Sequence, residues 1–201
     1  MTSPGIVDAM RALVLEPDAH FLAWLDDRRR RGVDRFDEVW DGVLHVVPFP
    51  GFDHQDFEGE LEVVLRRVTA ATNLKVLHTF GVYDPIKGEK NLRGPDVLVA
   101  APSHISQRGV EGRAELVVEI LSPNDESRDK FGFYAGCGIP EFWIIHPVTR
   151  VAEVYVLHHG TYVEKPVAPD GTIEAPRLGL TLRVVDGPKL RITWADGSAD
   201  I

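Results

Sequence analysis

The chain has 201 residues of which 44% are hydrophobic, enough for one domain with a real core and little room for a second. A formal charge of -9, from 22 Lys plus Arg against 31 Asp plus Glu, repels a polyphosphate unless the basic residues are gathered locally. The single cysteine, Cys137, excludes an intramolecular disulfide and suits a reducing, cytoplasmic setting, while the absence of a leader pattern over residues 1–15 and of any long apolar run argues against secretion or a membrane partner.

In chain order, Glu16-Pro17-Asp18 followed by Phe21, Leu22, Trp24 and Leu25 predicts a helix over residues 17–31, ending in Arg28-Arg29-Arg30-Arg31 and Gly32. The cationic run suits the negative end of a helix dipole and is also a candidate phosphate patch. Residues 35–40 and 43–47 read as strands joined by Asp41-Gly42, a dipeptide that favours a tight hairpin. Over residues 54–72 the spacing of Phe57, Leu61, Val64, Leu65 and Val68 describes an amphipathic helix. Strands follow at 75–80, 82–86, 97–100 and 114–121, the last apolar enough to be central. A short helix over 126–136 stops at Gly136-Cys137-Gly138 and Pro140, residues 141–146 read as a buried strand, and 151–158 with 161–165 form a hairpin about His159-Gly160. Short strands are expected at 181–185 and 190–194, with 196–201 frayed. No repeat or linker divides the chain, so one domain spans 1–201, with a core over about 34–185, the N-terminal helix before it and a tail over 186–201.

Glu119 stands out because Val118 and Ile120 flank it within this apolar strand. A buried carboxyl is usually protonated, paired with a cation or bound to a metal, and both a buried ion pair and a metal site fit this position. Asp96 opens the preceding strand after Gly94-Pro95. Adjacent strands could bring the two carboxylates together, and such a pair suits Mg²⁺ or Mn²⁺, which favour oxygen ligands. Beyond Glu119 the chain breaks at Ser122-Pro123-Asn124-Asp125, and Lys130 lies in the first turns of the next helix. A lysine beside a carboxylate-bound metal can orient a water and offset charge on a phosphoryl oxygen.

Other candidates carry two readings each. Glu38 is either a turn carboxylate, beside Asp37 and Asp41, or a site residue. His54, at a helix N-terminus, is either a surface residue or a base with a pKa near neutrality. His158-His159 sits at a hairpin tip and reads as solvated, Trp143 as core, and Cys137 offers no argument for a thiolate nucleophile.

Taken together, the blocks from Phe36 to Leu182 resemble the Uma2 family of the PD-(D/E)XK nuclease superfamily. The matching pieces are Phe36-Asp37-Glu38-Val39-Trp40-Asp41-Gly42-Val43-Leu44, Pro48 and Pro50 leading to His54-Gln55, Gly94-Pro95-Asp96-Val97, Glu115-Leu116-Val117-Val118-Glu119-Ile120-Leu121-Ser122-Pro123, Asp129-Lys130 with Tyr134-Ala135, and Gly138-Ile139-Pro140-Glu141-Phe142-Trp143-Ile144-Ile145-His146-Pro147. The resemblance implies an α/β (α+β) fold: a restriction-endonuclease-like core with a mixed central sheet flanked by helices and added β-hairpins. It further implies that Asp96 and Glu119 ligate the metal. The superfamily lysine two positions after the Glu is replaced here by Leu121, and Lys130 from the next helix is its match. Glu38 and His54 fall on recurrent family positions.

The expected activity is hydrolysis of DNA phosphodiesters by a metal-dependent endonuclease, with Mg²⁺ (Mn²⁺ as an alternative) on Asp96 and Glu119 and Lys130 assisting. Arg28 to Arg31, Arg66-Arg67, Lys87, Lys90 and Arg93 would supply the positive face. Cutting both strands of a duplex suits a homodimer. The alternative is a catalytically inactive module that keeps the fold to bind a protein or nucleic-acid partner.

Overall fold

A computed structural model of the protein describes residues 18–47, 49–123 and 125–201. They fall into two compact units, one running to Arg35 and one from Phe36 to Ile201. Glu16, Pro17 and the residues before them lie outside the described residues, as do Pro48 of the family blocks and Asn124 of the break after Glu119.

The first unit holds α1 (Ala19–Arg31). Asp18 caps its start by accepting from the Phe21 amide at 2.8 Å, and Gly32, at φ 65°, turns its N–H back to the last carbonyls. The four arginines crowd the last turn, where the unpaired carbonyls favour cations, and Arg30 and Arg31 each reach Asp27 at 3.4 Å.

In the second unit, β1 (Glu38–Trp40) and β2 (Val43–His45) form the expected hairpin. Asp41 and Gly42 take φ values of 50° and 89°, the left-handed pair of a type I′ turn. Next, α2 (Phe52–Val68) buries the stripe His54, Phe57, Glu58, Leu61, Val64 and Leu65. It stops before the expected residue 72 because beyond Thr69 the bonding tightens from i→i−4 to i→i−3: the Ala70 amide donates to Arg67 and the Thr72 amide to Thr69.

Six further strands follow: β3 (Lys75–His78), β4 (Val82–Asp84), β5 (Gly88–Arg93), β6 (Val97–Ala100), β7 (Val110–Glu111) and β8 (Leu116–Ile120). A 3-10 turn (Ser127–Lys130) leads into α3 (Phe131–Gly136), where the sequence reads as one helix. The rest is strand: β9 (Glu141–Ile145), β10 (Ala152–His158), β11 (Thr161–Glu164), β12 (Ile173–Ala175), β13 (Leu180–Val185), β14 (Lys189–Trp194) and β15 (Gly197–Asp200).

The central sheet has the order β11-β10-β9-β8-β6-β3 and is mixed, since β8 and β9 run parallel while its other neighbours are antiparallel. Every residue of β6, β8 and β9 is buried, because both faces are covered. On one face Val97, Val99, Leu116, Val118 and Ile120 pack with Phe57, Leu61 and Leu65 of α2 and with the apolar side of the β12-β13-β14-β15 sheet. On the other, Leu98, Val117, Phe142 and Ile144 pack with Phe133 and Tyr134 of α3 and with Val82 and Val110 of the β2-β1-β5-β4-β7 sheet.

One expectation needs correction, and one strand was not foreseen. Residues 196–201 are not frayed: β15 pairs with β14, and the buried Ile201 exchanges two backbone hydrogen bonds with Leu190. The polar run 88–93, to which the sequence pattern assigns no element, forms strand β5, between β1 and β4. Its inward residues are polar and find partners from distant strands: the Asn91 amide donates to Asp84 at 2.9 Å, and the Arg93 guanidinium lies between the Trp40 and Phe133 rings, 4.3 and 4.4 Å from their centroids, with its Nε left without a hydrogen-bond partner.

Candidate active site

The strand register brings Asp96 and Glu119 together. In the antiparallel pair β6–β8, Val97 faces Val118, so one step further along the same register Asp96 faces Glu119. An Asp96 carboxylate oxygen accepts from the Ile120 amide at 2.6 Å, which fixes the side chain across the strand end.

Glu119 points to the α3 side of the sheet and is 4% exposed. Both its oxygens accept from Lys130 Nζ, at 3.0 and 2.9 Å, and Oε1 also accepts from the Tyr134 hydroxyl at 2.6 Å. Lys130 and Tyr134 are four positions apart across the start of α3, so one face of that turn presents both donors. Far from being an unremarkable surface lysine, Lys130 is buried, and its ammonium also donates to Glu38 Oε1 at 2.9 Å.

Glu38 is not the turn carboxylate that its acidic neighbours suggested: it is 3% exposed at the start of β1. Besides Lys130 it accepts from the Gly94 amide at 2.9 Å and from Trp40 Nε1 at 2.5 Å, Trp40 lying two residues on and hence on the same strand face. His54 is likewise no surface residue. It is 7% exposed, one turn into α2, with Nε2 3.2 Å from Asp96. The five predicted residues, four on different elements and Asp96 just before β6, therefore meet at one place. Their order along it is Glu38, Lys130, Glu119, Asp96, His54.

Glu58 was missed. It follows His54 by one helical turn, is 6% exposed, and accepts from Gln55 at 3.0 Å, with His78 Nδ1 3.5 Å away. The signal lay in the helical pattern, which puts Glu58 beside Phe57 and Leu61 on the buried stripe. Tyr134 lay within a quoted block without a role.

The electrostatics follow from burial. Desolvation pushes the Glu119 carboxyl up to about 8, the charges of Asp96 and Glu38 add to this, and Lys130 and Tyr134 oppose it. For Lys130, burial disfavours the ammonium, but Glu119 and Glu38 outweigh it and hold the pKa above the ordinary lysine value. Burial also opposes the His54 imidazolium, and Asp96 and Glu58 more than compensate, so its pKa is raised. Glu58 is raised by burial and by Asp96. This donor set fits a divalent cation: carboxylates converge, one buried ammonium serves two of them, and His54 Nδ1 is buried without a hydrogen-bond partner.

The expected basic face is thinner than the sequence suggested. Arg93 is 4% exposed and gives hydrogen bonds to the Val39 carbonyl and Asn91, so it cannot meet a phosphate. Arg66 is paired with Glu62, and Lys87 with Asp41. Cys137 is buried and its thiol is pushed up to about 12 by desolvation, in keeping with no nucleophilic role.

Residues 18–185 match the model of the Uma2 family, described as "Putative restriction endonuclease", and the chain belongs to that family. Among solved structures it is similar to the crystal structure of a "putative nuclease belonging to DUF820" from Anabaena variabilis, with a TM-score of 0.55 and 19% identity over 71% of this chain and 82% of that one. At that identity the likeness is one of fold. No curated protein matches the chain. Among the described residues no helix is long and apolar enough to cross a membrane.

Proposed function

We propose that the protein is a metal-dependent endonuclease that hydrolyses DNA phosphodiesters at the centre formed by Asp96, Glu119, Lys130, Glu38 and His54. The observation that carries this reading is the strand register that sets Asp96 against Glu119, in a chain of the Uma2 family, with a buried lysine on the far side of the glutamate.

Asp96 and Glu119 are the residues that would hold Mg²⁺ or Mn²⁺. When bound, such a cation supplies Lewis-acid polarisation of a phosphoryl oxygen and a more acidic water. Lys130 acts as a fixed positive charge and not as a base, since its raised pKa keeps it protonated. It orients the carboxylates of Glu119 and Glu38 and offsets negative charge on a phosphoryl oxygen. Glu38, anchored by Trp40 and Gly94, fixes the ammonium from the other side. His54, within 3.2 Å of Asp96 and with a raised pKa, is the group placed to exchange a proton near neutrality. The single-domain organisation, the cytoplasmic setting and a homodimer with two such sites belong to the same reading.

The test is incubation of the purified protein with plasmid and single-stranded DNA in Mg²⁺, in Mn²⁺ and in chelator. Cleavage is expected with either cation and not with chelator. Cleavage that survives Asp96→Ala, or that occurs under no cation condition, removes the nuclease reading.

A further inference from the structure

The three sheets end in six edge strands: β2 and β7, β11 and β3, β12 and β15. An unpaired edge offers its backbone donors and acceptors to any other strand, and charged side chains are the usual guard against that. Five of the six carry one: Glu111 on β7, Glu164 on β11, Lys75 on β3, Glu174 on β12 and Asp200 on β15. The sixth, β2, reads Val43-Leu44-His45 and runs on into Val46-Val47 without a Lys, Arg, Asp or Glu. Its one titratable side chain is turned inward: His45 stacks on Trp40, ring centroids 4.2 Å apart, with Nδ1 3.6 Å from Glu126.

Scattered apolar residues are ordinary on a protein surface. Here Val43, Leu44, Val46 and Val47 are all exposed along one run, and the exposure continues to Phe49 and Phe52. The backbone repeats the pattern. Around the two-residue turn the hydrogen-bonded pairs are Trp40 with Val43 and Glu38 with His45, so the amides and carbonyls of Leu44 and Val46 point away from β1. In keeping with this phase, the Val47 amide turns back to Asp37 at 3.3 Å.

Charge and symmetry select the occupant. A chain of formal charge -9 repels its own copies over most of its surface, and the uncharged run 43–47 is where two copies can approach. DNA finds no cation on this run. Antiparallel pairing is also compatible with a two-fold axis, so one edge serves both partners.

We propose that two copies of the chain pair antiparallel through β2, with Leu44 of each copy opposite Val46 of the partner subunit and His45 opposite the partner's His45. Each Leu44–Val46 pair exchanges two backbone hydrogen bonds, and the five-stranded sheet continues into its copy. The register puts Glu38, His45, the partner's His45 and the partner's Glu38 in one row, so three strand spacings, roughly 14 Å, join the two buried centres. This contact stands whether or not the protein cleaves DNA.

The experiment uses the full chain and reads its mass by sedimentation over a concentration series. The wild type is expected as a dimer. Val46→Lys, at an exposed position, is expected to raise the dissociation constant at least about tenfold with an unchanged circular dichroism spectrum. Independently, His45→Cys is expected to give a disulfide-linked dimer under mild oxidation, because a non-hydrogen-bonded pair holds its Cα atoms about 4.5 Å apart, within disulfide reach. Val163→Cys on the exposed β11 edge is expected to give none, and the native Cys137 is buried. A wild type that stays monomeric at every concentration overturns the pairing and leaves the edge to a strand of another protein. A dimer indifferent to Val46→Lys that also fails to cross-link through His45→Cys overturns this contact. A cross-linked dimer without DNA cleavage supports the contact and counts against the nuclease reading alone.

Discussion

The two flanks of the buried centre are built on opposite plans. On the α3 flank Glu119, Glu38, Lys130, Tyr134 and Trp40 form a closed set, in which both glutamates accept from a fixed ammonium and each has a further aromatic donor. On the α2 flank Asp96, Glu58 and His54 leave a ring nitrogen unpaired and rely on imidazoles for compensation. On the closed flank both carboxyl groups are held by hydrogen bonds from side chains of the protein, so it holds geometry whether or not a cation is present. The open flank has ligand capacity left over. The proposed cation centre would use both: a rigid wall to set the position of Glu119 and an incompletely satisfied one on which a cation can gain something.

That contrast can be broken first at Lys130. Lys130→Ala strands two buried carboxyls, and loss of one partner from a buried pair costs about 3–5 kcal/mol, so denaturant unfolding should show a fall of that size. A loss under about 1 kcal/mol would mean that the α3 flank is not closed by charge. Asp96→Asn keeps shape and removes a ligand; it should lower DNA cleavage at least about 100-fold, with the melting temperature nearly unchanged. Full activity in that variant would place the cation elsewhere. Tyr134→Phe deletes one hydrogen bond to a buried carboxylate and should cost roughly 1.5–3 kcal/mol, read by the same unfolding curve.

The pH dependence sharpens the comparison. Glu119 has a raised folded-state pKa, so its contribution to stability is full below the ordinary carboxyl range and is lost as pH rises through about 8. A cation replaces the proton as counter-charge. Chelated protein should therefore lose stability toward pH 8, by at most about 1.4 kcal/mol per pH unit from this group, and the gain in melting temperature on adding Mn²⁺ should grow over the same interval. An equal gain at acid and alkaline pH would separate Glu119 from the cation. The smallest effect belongs to Glu58→Gln, which in cation-free protein should be neutral or slightly stabilising, because no fixed cation loses its partner.

Much of this centre could be read from the residues. Glu119 announced itself because a lone carboxyl within Leu116-Val117-Val118 and Ile120-Leu121 demands compensation, and the hairpin at Asp41-Gly42 was written in its turn chemistry. What escaped has physical causes. Glu58 is charged, and a helical pattern counts apolar residues, so a buried acid on the stripe reads as an exception to it. Strand β5 buries Asn91 and Arg93 against Asp84 and two aromatic rings, partners that lie outside the strand itself, so its local polarity gives no strand signal. The β15 strand depends on pairing with β14 and on one terminal isoleucine, which no local propensity reports. The burial of Lys130 and Glu38 could not be read for the same reason: each is paid for by the other across 92 residues of chain.

The most direct test of a divalent-cation centre is an anomalous difference map from a crystal of the protein soaked in Mn²⁺. The expected result is a peak in contact with Asp96, lost in Asp96→Asn. A map with no peak at Asp96 while Mn²⁺ is bound elsewhere on the chain would contradict the account.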